Sequence, residues 1–230
     1  MMLFVWALIP PIFVILLFYL LDPNKKPLKA IGKVLAWSFI AFVPLLLSVI
    51  IKKVLHIENW LPTEETTLRL IDNAFLAAAI PEEVGKWLAL YFFVKKSDKF
   101  FHFPYDGIFY GACIGAFFAG VENIYYLSIG YPVLVRVLMS LPGHTMHALI
   151  MGHFFALIRY GADTWRNKIY IFLLPILFHG FWDLLLFLMW SDAFGKNGNI
   201  LLLLFVLALF IIELIYCIRL TKSLRRCSIS

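Results

Sequence analysis

Apolar residues in this chain do not alternate with polar ones at the period of a strand. They run in long blocks, broken by short polar connections rich in lysine and arginine. A helix crosses a bilayer in about 20 apolar residues at about 1.5 Å per residue. Seven blocks reach that length and predict seven spans, roughly 2–21, 30–51, 68–94, 105–127, 141–158, 169–190 and 200–220. The third is long and contains Pro81, which predicts a kink, or an interfacial first half, with its break near the proline. The fifth is the shortest and carries three histidines. The longest connection, 52–67, is polar and holds Trp60 and Pro62, as suits a loop at the membrane interface.

Composition agrees. The chain is 63% hydrophobic and 15% charged, with a mean hydropathy of +0.89, whereas a soluble domain is about half apolar and about a quarter charged. A water-soluble fold of 230 residues has no room to hide that surface. Fibrous, disordered and disulfide-rich classes are excluded as well. Cys113, Cys217 and Cys227 are odd in number and lack metal-ligand spacing. The expectation is an all-α polytopic bundle, one integral membrane domain over 1–230, with its chemistry in a core of about 68–190.

The net charge of +6 invites a nucleic-acid reading, and the position of the charges removes it. Of 20 lysines and arginines, most fall in 25–33, 95–99, 159–168 and 219–226, connections that lie on one side of a seven-span topology. Lys52, Lys53, Arg69, Arg136 and Lys196 fall on the other, and Lys86 lies inside a span. Basic loops stay in the cytoplasm. The amino terminus is therefore expected outside and the carboxyl terminus inside, in a multi-pass protein of the cell membrane. Residues 1–21 lack a basic leading segment and read as a retained first span.

Ionisable groups within the spans carry the chemical signal, since each charge at the bilayer centre costs roughly 2.5–3.5 kcal/mol. They are Glu82, Glu83 and Lys86 in span three, Glu122 in span four, His144, His147 and His153 in span five, and His179 and Asp183 in span six; span seven adds Glu213. Counting from the helix ends, Glu122, His144, His147 and Asp183 lie within about 5–12 Å of the outer surface. Glu82, Glu83 and His179 lie nearer the middle, and His153 on the inner half. Lys86 stands three and four residues after the two glutamates, so it can reach either. It neutralises only one and leaves the other for trapped water, the situation a general base needs. His144 and His147 share a face, as do His179 and Asp183, and an aspartate beside a histidine fixes its tautomer.

Plainer readings exist for each group. Glu82, Glu83 and Lys86 can form a structural ion pair, although two carboxylates exceed what one lysine needs. Glu122, His144 and His179 can be interhelical hydrogen-bonders. His153 is at the wrong depth and Glu213 is isolated near a helix end, so both are expected to be structural. Phe117, Phe118 and Cys113 are expected to be packing residues.

The runs EEVGK at 82–86, FAGVE at 118–122, PGHTMHALIMG at 142–152 and FHGFWD at 178–183 together resemble the PrsW family of intramembrane proteases. That family belongs to a larger group with the CAAX prenyl endopeptidases and bacteriocin-processing membrane proteins. The second run ends in glutamate where the prenyl-protease branch has histidine, and the basic residue of the first comes one position earlier. The resemblance covers 82–183 in order and implies functional roles for Glu82, Glu83, Lys86, Glu122, His144 and His179, with Asp183 in support. His144, eight residues before Gly152, fits the family histidine, and His147 is a departure. The resemblance also implies a first-cut protease for a single-span membrane substrate of the anti-sigma-factor type.

The expected chemistry is peptide-bond hydrolysis at or just above the outer leaflet. Glu82 or Glu83 activates water, Glu122 orients it, and His144 and His179 stabilise the oxyanion and protonate the leaving amine. No GxSxG run is present. A glutamate mechanism without cofactor is favoured. The alternative is Zn²⁺ on Glu82, Glu83, Glu122, His144 and His179, although no HExxH pair occurs. Rivals from other classes are an intramembrane Glu/His proton relay or transporter, and a catalytically silent scaffold.

Overall fold

The computed structural model describes residues 2–56, 67–191 and 194–228, and every regular element among them is helical. In chain order these are α1 (Met2–Leu21), α2 (Leu28–Ser38), α3 (Val43–Val54), α4 (Thr67–Ile71), α5 (Ile80–Lys96), α6 (Tyr105–Ser128), α7 (Val133–Val135), α8 (Leu141–Arg159), α9 (Trp165–Trp190) and α10 (Gly195–Cys227). Trp60 and Pro62 of the expected interfacial loop lie outside the described residues.

Besides a 3₁₀ turn at Asp98–Phe100, three joints carry helix without a break from one element into the next. A 3₁₀ stretch, Phe39–Phe42, links α2 to α3, and π-helical stretches Asp72–Ala79 and Arg136–Ser140 link α4 to α5 and α7 to α8. Each ends just before a helix whose second residue is proline, namely Pro44, Pro81 or Pro142. Proline lacks the N–H and collides with the carbonyl four residues back. A local change of hydrogen-bond period takes up that misfit without ending the helix. Near Pro81, where a kink or an interfacial first half is expected, helix runs on over 67–96 through the π stretch. The fifth span likewise starts at Val133, not at residue 141, and Arg136, counted above as a loop charge, lies within it.

Among the described residues six runs are long and apolar enough to cross a membrane: Phe4–Leu21, Leu28–Val54, Tyr105–Ser128, Val133–Arg159, Trp165–Trp190 and Gly195–Cys227. The chain is a polytopic all-α membrane bundle. The run over 67–96 falls short on apolarity because it carries Asp72, Glu82, Glu83 and Lys86.

Helix α6 is the hub: most of its residues are buried, whereas most of α1 and α10 are not. It packs on α8 through Gly107, Gly111 and Gly115, one turn apart. A Cβ on Gly107 would stand 2.1 Å from the Gly152 carbonyl oxygen, one on Gly111 2.3 Å from that of Ala148, and one on Gly115 2.3 Å from that of His144. Small residues let helix backbones meet where hydrocarbon supplies no hydrophobic drive. This seam fixes the height of His144 against Glu122.

The basic helix ends gather at one end of the bundle. Lys26, counted as a loop charge, is buried there, 2.6 Å from Asp106 and 3.5 Å from Asp22. Ser228 Oγ accepts from the Tyr105 N–H at 2.9 Å and its carbonyl accepts from Asn24 at 3.0 Å, which ties the end of α10 to α1 and α6. Arg159 pairs with Asp98 at the same end.

Candidate active site

Glu82 and Glu83 are neighbours on α5, so their side chains diverge by about 100°. Glu83 is fully buried and faces the interior. Glu82 lines a cavity of 120 Å³ that runs from Glu82 and His179 to Tyr131 and Trp190, away from the basic end. Glu122, Arg136, His144, His147 and Asp183 line it as well.

Behind the cavity Lys86 organises the site. Its ammonium donates to Glu83 Oε1 at 2.6 Å and lies 3.0 Å from His144 Nδ1 and 4.5 Å from the centre of the Phe118 ring. Three N–H bonds thus meet a carboxylate, an imidazole and an aromatic face. An ammonium only donates, so His144 Nδ1 is the acceptor and its proton sits on Nε2, which donates to Glu122 Oε2 at 2.8 Å. The same Glu122 oxygen accepts from Arg136 Nη2 at 2.5 Å. Arg136 Nε donates to Asn123 Oδ1 at 2.7 Å, and the guanidinium covers the Tyr126 ring at 4.3 Å. Phe118, expected only to pack, caps a buried charge.

His179 meets carboxylates at both nitrogens: Nδ1 lies 2.7 Å from Glu83 Oε1, and Nε2 lies 3.4 Å from Asp183 Oδ2. His147 stacks on it with ring centres 5.0 Å apart and stands 3.6 Å from Glu83 and 3.4 Å from Glu213 Oε1. Among the described residues, neither His147 nitrogen nor either Glu213 oxygen has a hydrogen-bond partner. Glu82 Oε2 has none either, and stands 3.9 Å from both His144 Nδ1 and His179 Nε2.

The structure therefore brings Glu82, Glu83, Lys86, Glu122, His144, His147, His179 and Asp183 into one cluster. His153 is buried apart from the cavity. Two members escaped the sequence reading. Glu213 is 1% exposed in the middle of α10 and is not isolated. As the single carboxylate of an apolar span it already carried a signal. Arg136 was hidden by its assignment to a loop.

A family model described as PrsW family intramembrane metalloprotease matches residues 26–213. The chain belongs to the PrsW family. It is 32% identical over 173 residues to "Protease PrsW" of Geobacillus kaustophilus (strain HTA426), covering 74% of this chain and 72% of that protein. To "Protease PrsW" of Bacillus subtilis (strain 168) it is 37% identical over 118 residues, 49% of this chain and 53% of the relative. The Clostridioides difficile (strain 630) protein of the same name is 31% identical over 154 residues, 63% and 62% of the two chains. No solved structure matches. As a PrsW protein the chain is an intramembrane protease.

The PrsW family description is that of a metalloprotease. Glu83, His144, His147 and His179 each offer a donor atom within 4.8 Å of the others, and Glu82, Glu122 and His144 form a second such group. Three imidazoles and a carboxylate suit Zn²⁺ by kind, and the two unengaged nitrogens of His147 are available for ligation. Lys86 already holds Glu83 Oε1 and His144 Nδ1, so an ion that used those atoms would displace its ammonium.

Proposed function

We propose that this PrsW protein hydrolyses a peptide bond of a single-span membrane protein, with Glu82 as the base that activates water. The observation that carries this reading is the Glu82 carboxylate. Glu82 lines the cavity, and its Oε2 has no hydrogen-bond partner among the described residues and stands 3.9 Å from each of two imidazoles. That is the spacing a bridging water spans, and the cavity is large enough for several.

Glu82 takes a proton from the water as its oxygen attacks the scissile carbonyl. The emerging oxyanion is met by N–H donors of His179 and of Arg136. A ring with carboxylates at both nitrogens satisfies both only as the imidazolium, so His179 is suited to donate. The proton held by Glu82 passes to the leaving amine. Glu83 and Lys86 do not touch substrate; they fix His179 and the tautomer of His144. Zn²⁺, if held by Glu83, His144, His147 and His179, would polarise the carbonyl and the water.

With basic loops inside, the cavity lies toward the outer leaflet and serves a cut at or just above it. The substrate class we favour is a membrane-bound anti-sigma factor, in keeping with the family resemblance. Against the relay reading, α6 presents buried apolar residues from Ile108 to Ala116 between the cluster and the Lys26–Asp106 pair, apart from the Tyr110 hydroxyl, which donates to the Phe100 carbonyl.

The test is cleavage of a single-span substrate by purified protein in detergent, wild type beside Glu82→Gln. Loss of product by roughly 10²–10⁴-fold, with an unchanged melting temperature, supports the assignment. Undiminished cleavage by Glu82→Gln removes it.

A further inference from the structure

A second concavity lies on the far side of α8 from the site, between α1, α8 and α10, with a volume of 420 Å³. Its walls come from Phe18 and Leu21 on α1, Met146 and Leu149 on α8, and Leu214 and Cys217 on α10. They are almost wholly hydrocarbon. The groove ends at the basic end of the bundle, where Thr221, Lys222 and Arg225 line its mouth. Lys222 and Arg225 are three residues apart and share a helix face. Both are exposed, and neither belongs to an ion pair among the described residues.

We propose that this groove binds one anionic phospholipid, its phosphate held by Thr221, Lys222 and Arg225 and an acyl chain lying along the walls. Two features select that occupant. A hydroxyl and two cations at the mouth suit a phosphate, Arg225 by paired donors and Lys222 as a point charge. Basic pockets between helices on the cytoplasmic side hold anionic headgroups in this manner, and the mouth lies among the basic helix ends. The walls point the same way, since from Phe18 and Leu149 to Leu214 they are hydrocarbon and match an acyl chain. Met146 stands between His144 and His147 in sequence, so the chain's tip backs the helix that carries both. The proposal does not depend on the protease mechanism.

Native mass spectrometry of the detergent-purified protein tests it. Phosphatidylglycerol and phosphatidylcholine with identical acyl chains are titrated against wild type, Lys222→Gln/Arg225→Gln and Leu214→Trp. Wild type is expected to retain one phosphatidylglycerol per chain at roughly tenfold lower concentration than phosphatidylcholine. The double variant is expected to lose that preference and keep its fold, and Leu214→Trp, which fills the groove, to retain neither lipid. Equal retention of both lipids by wild type overturns the proposal. So does a preference that survives in the double variant, or a second protein chain occupying this face.

Discussion

Lys86 Nζ stands 3.0 Å from His144 Nδ1, and this contact sets where the His144 proton resides. With Nδ1 accepting, Nε2 donates to Glu122, so one buried lysine on α5 aligns a histidine on α8 with a carboxylate on α6.

Replacing Lys86 by methionine strips Glu83 of its ammonium partner at a fully buried position and leaves it the hydrogen bond of His179 alone. Removing one partner of a buried pair costs about 3–5 kcal/mol, so Lys86→Met is expected to unfold at markedly lower temperature. Lys86→Met with Glu83→Gln should recover most of the loss, since no buried charge is then left alone. Calorimetry of the three proteins in one detergent reads this. A double variant no more stable than Lys86→Met alone would contradict the pairing.

Arg136 shares the Glu122 oxygen with His144 and contacts the cavity. Arg136→Lys keeps the charge but loses the simultaneous bonds to Glu122 and Asn123. We expect kcat on a single-span substrate to fall by about 10²-fold, the lower end for loss of an oriented oxyanion donor, and KM to change little. An unaltered kcat would return Arg136 to a structural role.

Metal removal separates two chemistries. Because the Lys86 ammonium already sits against Glu83 Oε1 and His144 Nδ1 inside the imidazole cluster, cleavage is expected to continue in strong chelator, and elemental analysis to find less than one zinc per chain. Activity lost to chelator and restored by Zn²⁺ would place the ion at Glu83, His144, His147 and His179 instead.

The α6–α8 seam predicts a contrast between two glycines. Gly111→Ala puts a methyl 2.3 Å from the Ala148 carbonyl and must part the helices. We expect about 1–3 kcal/mol of destabilisation, as for overpacking elsewhere, together with loss of cleavage. Gly32→Ala meets nothing within 4 Å and should be neutral or stabilising by up to about 1 kcal/mol. Parallel thermal melts decide; equal behaviour of the two would discount the seam.

The bundle was legible in the sequence because a bilayer demands long apolar blocks, and Glu82, Glu83, Lys86, Glu122, His144 and His179 because charge inside such blocks is costly. Adjacent glutamates could not be told apart, since their difference is the 100° between them and which neighbour each faces. Arg136 was hidden by a boundary: Gly130, Pro132 and the charge of Arg136 itself read as a connection, while the π stretch before Pro142 carries helix through it. The glycine seam was visible as a four-residue repeat, but its partner on α8 is a matter of tertiary packing. Glu213 was left aside because a single acid in a span has no sequence neighbour to pair with; His147 reaches it only across two helices.

The π stretch Asp72–Ala79 gives the run bearing Glu82 an uneven tolerance of changes in length. An i→i+5 turn holds more residues than an α turn, so deleting one residue there can be absorbed by a return to α geometry, with everything after Pro81 left in place. The same deletion between Glu83 and Lys86 would rotate the lysine about 100° away from its carboxylate. Among related chains, insertions and deletions of a single residue should therefore collect upstream of the proline, where the helix carries slack, and be absent from the turn that follows it.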